Sequence, residues 1–260
     1  GCAKRRMEDK MDILNKAKTG KKERPIKVVQ FGEGNFLRGF VDYMIDIANE
    51  QGKFDGDIVL IKPIEFGNLD MFHKQDCQYT VSLRGNVNGE AKIINRIVTS
   101  VADAVDTYNE YDKYMGLAEI DTLRFVVSNT TEAGIVYDDT DKFELEPPKT
   151  FPGKLTKFLY HRFETFKGDM SKGLVMLPVE LIDDNGIMLK KCVMQLIELW
   201  GLGDEFKKWV IVTAAGQLFF RLLCRPGAEI IFIVYQCTGI KIHWITNDFI
   251  VIGHRCQCCL

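Results

Sequence analysis

Three observations predict an α/β chain built on a Rossmann-like, doubly wound and mostly parallel sheet, with a β-hairpin inserted. An apolar run, Lys27-Val28-Val29-Gln30-Phe31, enters the glycine turn Gly32-Glu33-Gly34, and a helical pattern follows at once. Short apolar runs return at Ile58-Val59-Leu60-Ile61, at Leu123-Arg124-Phe125-Val126-Val127-Ser128 and over residues 173–178, with helical stretches between them. Continuous apolar runs suit strands buried on both faces of a parallel sheet, and alternation of strand and helix is the pattern such a sheet requires. The composition, 46% hydrophobic and 27% charged over 260 residues, is that of an ordinary globular protein.

Residues 1–24 hold a basic cluster (Lys4, Arg5, Arg6, Lys10, Lys16, Lys18, Lys21, Lys22, Arg24) and are expected to be a solvated, disordered terminus. A cofactor domain is expected over residues 25–210. In a nucleotide-binding βαβ unit, Gly32 would permit the tight turn, and Gly34 would let a pyrophosphate approach the N-terminus of the helix. Asn35 and Phe36 open that helix, and Leu37 stands where the usual fingerprint has a third glycine. Arg38, about one turn in, could set a fixed cation against phosphate oxygens. The plainer readings are a turn whose glycines serve sterics alone and a surface arginine on an amphipathic helix.

That helix is expected over Phe36 to Asn49, with Phe36, Phe40, Met44 and Ile47 at helical spacing. At the end of the second strand a dinucleotide fold places an acid on the adenosine ribose or a base on a 2′-phosphate; Lys62 and Glu65 are both available, and Glu65 favours NAD over NADP, although it sits later than the usual spacing from the glycines and its plainer reading is a loop residue. Residues 78–83 and 92–97 read as a hairpin around an Asn-Gly turn. Asp103 to Ala118 reads as helix. The strand ending at Ser128 delivers the polar loop Asn129-Thr130-Thr131-Glu132-Ala133-Gly134 to the same rim as the glycine turn. Asn129 and Thr130 could border a ligand there, or simply close a turn through their side chains. Pro152 begins a helix through Phe166, in which His161 reads as a packing or surface residue. After the strand over residues 173–178 come the loop Val179-Glu180-Leu181-Ile182-Asp183-Asp184-Asn185-Gly186 and two further helices, Ile187 to Trp200 and Asp204 to Trp209.

The string Gly32-x-Gly34-x-Phe36-x-Arg38-Gly39-Phe40, together with Asn129-Thr130-Thr131-Glu132-Ala133-Gly134, resembles the mannitol dehydrogenase family of polyol and hexuronate oxidoreductases. Glu180-Leu181-Ile182-Asp183 matches the hexuronate branch, with Val179 where that branch has a cysteine. The resemblance implies NAD as cofactor, a small sugar-acid substrate and reversible hydride transfer at a secondary alcohol. It implies that Glu132 and Asn185 border the active site, and that Asn129 and Thr130 lie near the nicotinamide. In this family the general acid/base is a lysine in a C-terminal helical domain, within a Lys-x-x-x-x-Asn-x-x-His pattern. That pattern is absent from the 260 residues, and at Lys241 the asparagine position holds Thr246. The helical substrate domain is therefore expected to be missing and the chain inactive by itself; a non-catalytic nucleotide-binding module is the alternative.

Residues 211–260 carry six charged side chains, against 64 in the preceding 210, and five of the eight cysteines. Family-like text stops near Val210, so this low-charge tail is expected to be aberrant, the product of a shifted reading frame. A membrane span is disfavoured because Lys241 and Asp248 interrupt its apolar run. No metal site is expected either, since His254, Cys256, Cys258 and Cys259 are too tightly spaced for ordinary paired ligands. A net charge of -2 argues against a dedicated nucleic-acid binder, and no apolar signal segment follows the basic start, so a cytoplasmic protein is expected. The sequence leaves the oligomeric state open.

Overall fold

The computed structural model describes residues 13–87, 90–130 and 134–213. Four expectations fall wholly or partly outside the described residues: the basic terminus over residues 1–12, the Asn88-Gly89 turn, Glu132, and the expected tail of residues 211–260 from residue 214 onward. Before the sheet, one helical turn, α1 (Lys16–Thr19), is closed by Gly20 in the left-handed region. The chain then runs through β1 (Ile26–Phe31), the turn, and a continuous helical stretch. That stretch comprises α2 (Asn35–Leu37), a π turn (Arg38–Asp42) and α3 (Tyr43–Glu50).

Next come β2 (Asp57–Lys62), α4 (Asp70–Lys74) and the antiparallel pair β3 (Tyr79–Val87) and β4 (Glu90–Val98). The second half holds β5 (Val101–Asp106), α5 (Tyr111–Gly116), β6 (Phe125–Ser128), α6 (Phe151–Thr165), β7 (Val175–Pro178), α7 (Asn185–Leu199) and α8 (Asp204–Thr213). The sheet has the order β5-β2-β1-β6-β7, and all four pairings are parallel. The chain leaves β1 toward β2 and later returns to pair β6 on its other edge, so the strand order reverses at β1. This is the doubly wound arrangement that the sequence predicted.

Side-chain alternation along the strands builds two cores. Val29, Phe31, Val59, Ile61, Val105 and Val126 face a cluster with Tyr114, Phe158, Ile197 and Trp209 from the helices of the second half. Val28, Ile58, Leu60, Ala104 and Val127 face the opposite cluster with Leu37, Tyr43 and Tyr79. Every residue of β2 is buried, as a strand covered on both faces must be. Thr150 caps α6, its Oγ1 accepting the Gly153 N–H at 2.9 Å, and Pro152 lies in the first turn where its missing N–H costs nothing.

Three expectations are corrected. The helix read over Asp103 to Ala118 is a strand as far as Asp106, with α-helix at Tyr111–Gly116 continued by a 3-10 turn at Leu117–Glu119. Parallel pairing of Ala104 and Val105 with Leu60 and Ile61 overrides the local helical pattern. The hairpin strands run longer than expected, with Val87 opposite Glu90. Within its described part, residues 13–24, the basic stretch is anchored rather than solvated at two points. Lys21 is buried, pairs with Asp57 at 3.1 Å and donates to the Val101 carbonyl at 2.9 Å, while Arg24 reaches Asp57 at 3.2 Å. Asp57 is buried at the start of β2, and a carboxylate there requires cationic partners.

Candidate functional site

The register sets a row of residues along the carboxyl edge of the sheet. Asp106 lies opposite Lys62, Ile61 opposite Phe31, Phe31 opposite Ser128, and Ser128 opposite Pro178. Ligands of open α/β sheets bind beyond such an edge, at the point where strand order reverses. Here that point is the crevice between the turn after β1 and the loop after β6.

Gly32 fills the floor of the crevice. Its φ is +116°, its N–H donates to the Ile61 carbonyl at 2.9 Å, and an added Cβ would lie 3.1 Å from the Asn129 carbonyl oxygen and 3.3 Å from Leu37. Gly34 differs. It is exposed, immediately precedes the helix, and a Cβ on it would meet nothing within 4 Å. Gly32 is thus required by the protein's own packing, whereas Gly34 leaves open space where a ligand could approach the backbone.

Asn35 is exposed, and its Oδ1 accepts from Arg38 Nη2. Phe36, 42% exposed, stacks on Phe40 with ring centroids 5.3 Å apart. The Arg38 guanidinium sits 5.6 Å from the ring centres of both Phe72 and Tyr79, and its Nε is buried with no hydrogen-bond partner among the described residues. An aromatic-bracketed arginine with an unmatched donor, one turn from an open glycine, fits an anion such as a pyrophosphate.

Beneath the turn lies a polar cluster that the sequence reading missed. Asp42, fully buried in the π turn, accepts from the Tyr79 hydroxyl at 2.5 Å, and its Oδ1 has no partner within hydrogen-bond distance among the described residues. Burial pushes its carboxyl up to about 7 against the opposing pull of Tyr79, Gln30 and Arg38. The available signal was an acid within an otherwise core-facing helical stretch, which demands a buried partner.

On the other half of the rim, Asn129 donates through Nδ2 to the Val179 carbonyl at 2.8 Å. Thr130 donates both its N–H, at 3.1 Å, and its hydroxyl, at 3.2 Å, to Glu180 Oε1. Glu180 is buried, and its Oε2 has no partner among the described residues; burial raises its carboxyl above the usual range despite hydrogen bonds from Ser128 and Thr130. Asn185 is buried at the start of α7, where its Nδ2 donates to the carbonyls of Pro178, at 2.9 Å, and Glu180, at 3.1 Å. The structure therefore brings Asn129, Thr130 and Asn185 together around Glu180. Sequence reading had used Glu180 only to choose between family branches.

Glu65 is exposed beyond β2, and Lys62 is buried, with its ammonium turned inward. The expectation that Lys62 is available to a ligand is thereby corrected. His161 meets Glu119 at 2.8 Å on the surface, away from the rim. Among the described residues no three His, Cys, Asp or Glu side chains gather as a metal site, and no helix is long and apolar enough to cross a membrane.

Comparison with known proteins agrees with this fold. The chain is 47% identical over 201 residues to an altronate oxidoreductase of Phocaeicola vulgatus, covering 76% of this chain and 42% of that protein. It is 45% identical over 186 residues to an altronate oxidoreductase of Bacillus subtilis, covering 72% and 39%. The chain thus spans less than half the length of these curated relatives. A solved structure of Pseudomonas fluorescens mannitol 2-dehydrogenase, a ternary complex with NAD and D-mannitol, shares the fold with a TM-score of 0.62 at 15% identity, over 78% of this chain and 45% of that one. A D-sorbitol dehydrogenase in substrate-free form gives 0.60 at 19% identity, over 76% and 45%. Residues 26–215 match the model of the mannitol dehydrogenase Rossmann domain, and the chain belongs to the mannitol dehydrogenase family.

Proposed function

We propose that this domain binds NAD(H) and is the cofactor half of a hexuronate oxidoreductase that interconverts tagaturonate and altronate. The observation that carries the reading is the open Gly34 beside Arg38 Nε at the reversal of strand order. The names of the relatives at 43–47% identity support the substrate class. When bound, the cofactor supplies or accepts the hydride, and the protein's work is orientation. Arg38 and the helix N-terminus hold the pyrophosphate. Asn129 and Thr130, fixed by Val179 and Glu180, shape the floor of the crevice on the β6 side. Glu132, by family resemblance, borders the reacting centre.

We infer further that these 260 residues do not turn over substrate by themselves. They lack the lysine pattern that provides the family's acid/base, and such assistance is typically worth about two to four orders of magnitude. Fluorescence titration of the purified chain with NADH tests the binding. Gly34→Val is expected to weaken NADH at least tenfold, roughly 1.4 kcal/mol, while the melting temperature holds, because the new side chain enters open space. Equal binding by both proteins overturns the proposal. Steady oxidation of NADH on addition of tagaturonate overturns the claim of inactivity.

A further inference from the structure

Lys62 closes β2 where dinucleotide-binding sheets place the side chain that reads the adenosine ribose. An acid there accepts from the 2′-hydroxyl of NAD, and a base nearby accommodates the 2′-phosphate of NADP. By residue type alone, a lysine at this position points to NADP. Its surroundings point the other way. The side chain is 1% exposed, and its ammonium lies 2.5 Å from the Ile64 carbonyl oxygen, 3.3 Å from that of Glu65 and 3.1 Å from Asp106 Oδ2. An ammonium has three donor positions, and three protein oxygens surround this one.

The acceptor side is equally fixed. Asp106 also accepts from the Tyr108 N–H at 2.9 Å and from Asn109 Nδ2 at 2.8 Å. Thr107 donates its N–H, at 3.2 Å, and its hydroxyl, at 3.0 Å, to the Lys62 carbonyl. The ends of β2 and β5 are stitched together, and the loop after β2 is folded back over the ammonium. That loop leaves the Glu65 side chain exposed between Ile64 and Phe66, which are 55% and 80% exposed. An acid with flanking apolar surface suits a ribose diol and an adenine ring, and it repels a phosphate.

We propose that the Lys62–Asp106 pair selects NAD over NADP, by committing the lysine to the loop and withholding its charge from a 2′-phosphate. The inference rests on the dinucleotide reading above and adds a specificity determinant to it. Asp106→Asn keeps the shape and an acceptor oxygen but removes the counter-charge, leaving Lys62 as an unpaired cation at the rim.

Titration of the full chain with NADH and with NADPH provides the test. Wild type is expected to prefer NADH. Asp106→Asn should shift the ratio of affinities toward NADPH about tenfold, the worth of one charge-assisted hydrogen bond. Lys62→Met should weaken NADH without improving NADPH. If Asp106→Asn does not fold, Glu65→Lys decides: at an exposed position it places a free cation on the held loop and should raise NADPH affinity by a similar factor. A wild type that prefers NADPH, or a folded Asp106→Asn with an unchanged ratio, overturns the inference. An unchanged ratio in Glu65→Lys does the same. Wild type that binds neither nucleotide overturns the dinucleotide reading and this inference with it; NADH binding with unchanged ratios overturns the inference alone.

Discussion

At the β2–β5 end of the rim, Asp106 meets the Lys62 ammonium at 3.1 Å, whereas at the β6–β7 end Glu180 meets, among the described residues, hydroxyl and N–H donors of Ser128 and Thr130. The environments drive the two carboxyls apart. Burial pushes Asp106 upward, but the Tyr108 N–H, the Asn109 amide and Lys62 together outweigh it and hold the group below the usual range. For Glu180 burial wins and the group is raised. The difference follows depth and partners together: Glu180 is the more deeply buried of the two, and its hydrogen bonds from Ser128 and Thr130 do not offset the loss of water. One half of the rim is electrostatically closed. The other holds an acid whose second oxygen has no partner among the described residues.

The largest expected effect comes from joining the two halves by force. Gly32→Val places a branched side chain at a φ of +116° and against the Asn129 carbonyl. A loss of roughly 3 kcal/mol or more is expected from strain and overpacking combined, read as a lower denaturant midpoint with an unchanged slope. A smaller loss, about 1–3 kcal/mol, is expected for Asn185→Ala, which strips the buried carbonyls of Pro178 and Glu180 of their shared donor. A stability within error of wild type would mean that water or a neighbouring group replaces the amide.

The smallest effects sharpen the comparison most, because they carry opposite signs. Asp106 has a lowered folded-state pKa, so its contribution is present above the ordinary aspartate range and is lost as pH falls through the folded value. Glu180 has a raised one, so the native state loses stability as pH rises from the ordinary glutamate range toward the folded value. Melting curves from pH 3 to pH 8 should therefore show Asp106→Asn closest to wild type in acid and most destabilised near neutrality. Glu180→Gln should gain on wild type as pH rises. Parallel pH profiles for the two variants would refute the contrast.

The sequence by itself determined the strand–turn–helix unit at Gly32, the parallel strands at Ile58, Phe125 and Val175, and the family. Each rests on short-range patterns: glycines where backbone sterics require them, continuous apolar runs where a strand is covered on both faces, and long helices with clear periodicity. It misread Asp103–Asp106, because a four-residue stretch with an acid at each end carries no mark of the neighbour with which it pairs. Only the tertiary structure decided which glycine is structural and which is open, since both occupy the same motif and differ in backbone conformation and in whether Asn129 and Leu37 stand opposite. Only the fold, too, turned Lys62 inward and set Glu180 under Thr130. A side chain's charge is written in the sequence, but its availability depends on oxygens 44 and 50 residues away, brought within about 3 Å by strand register.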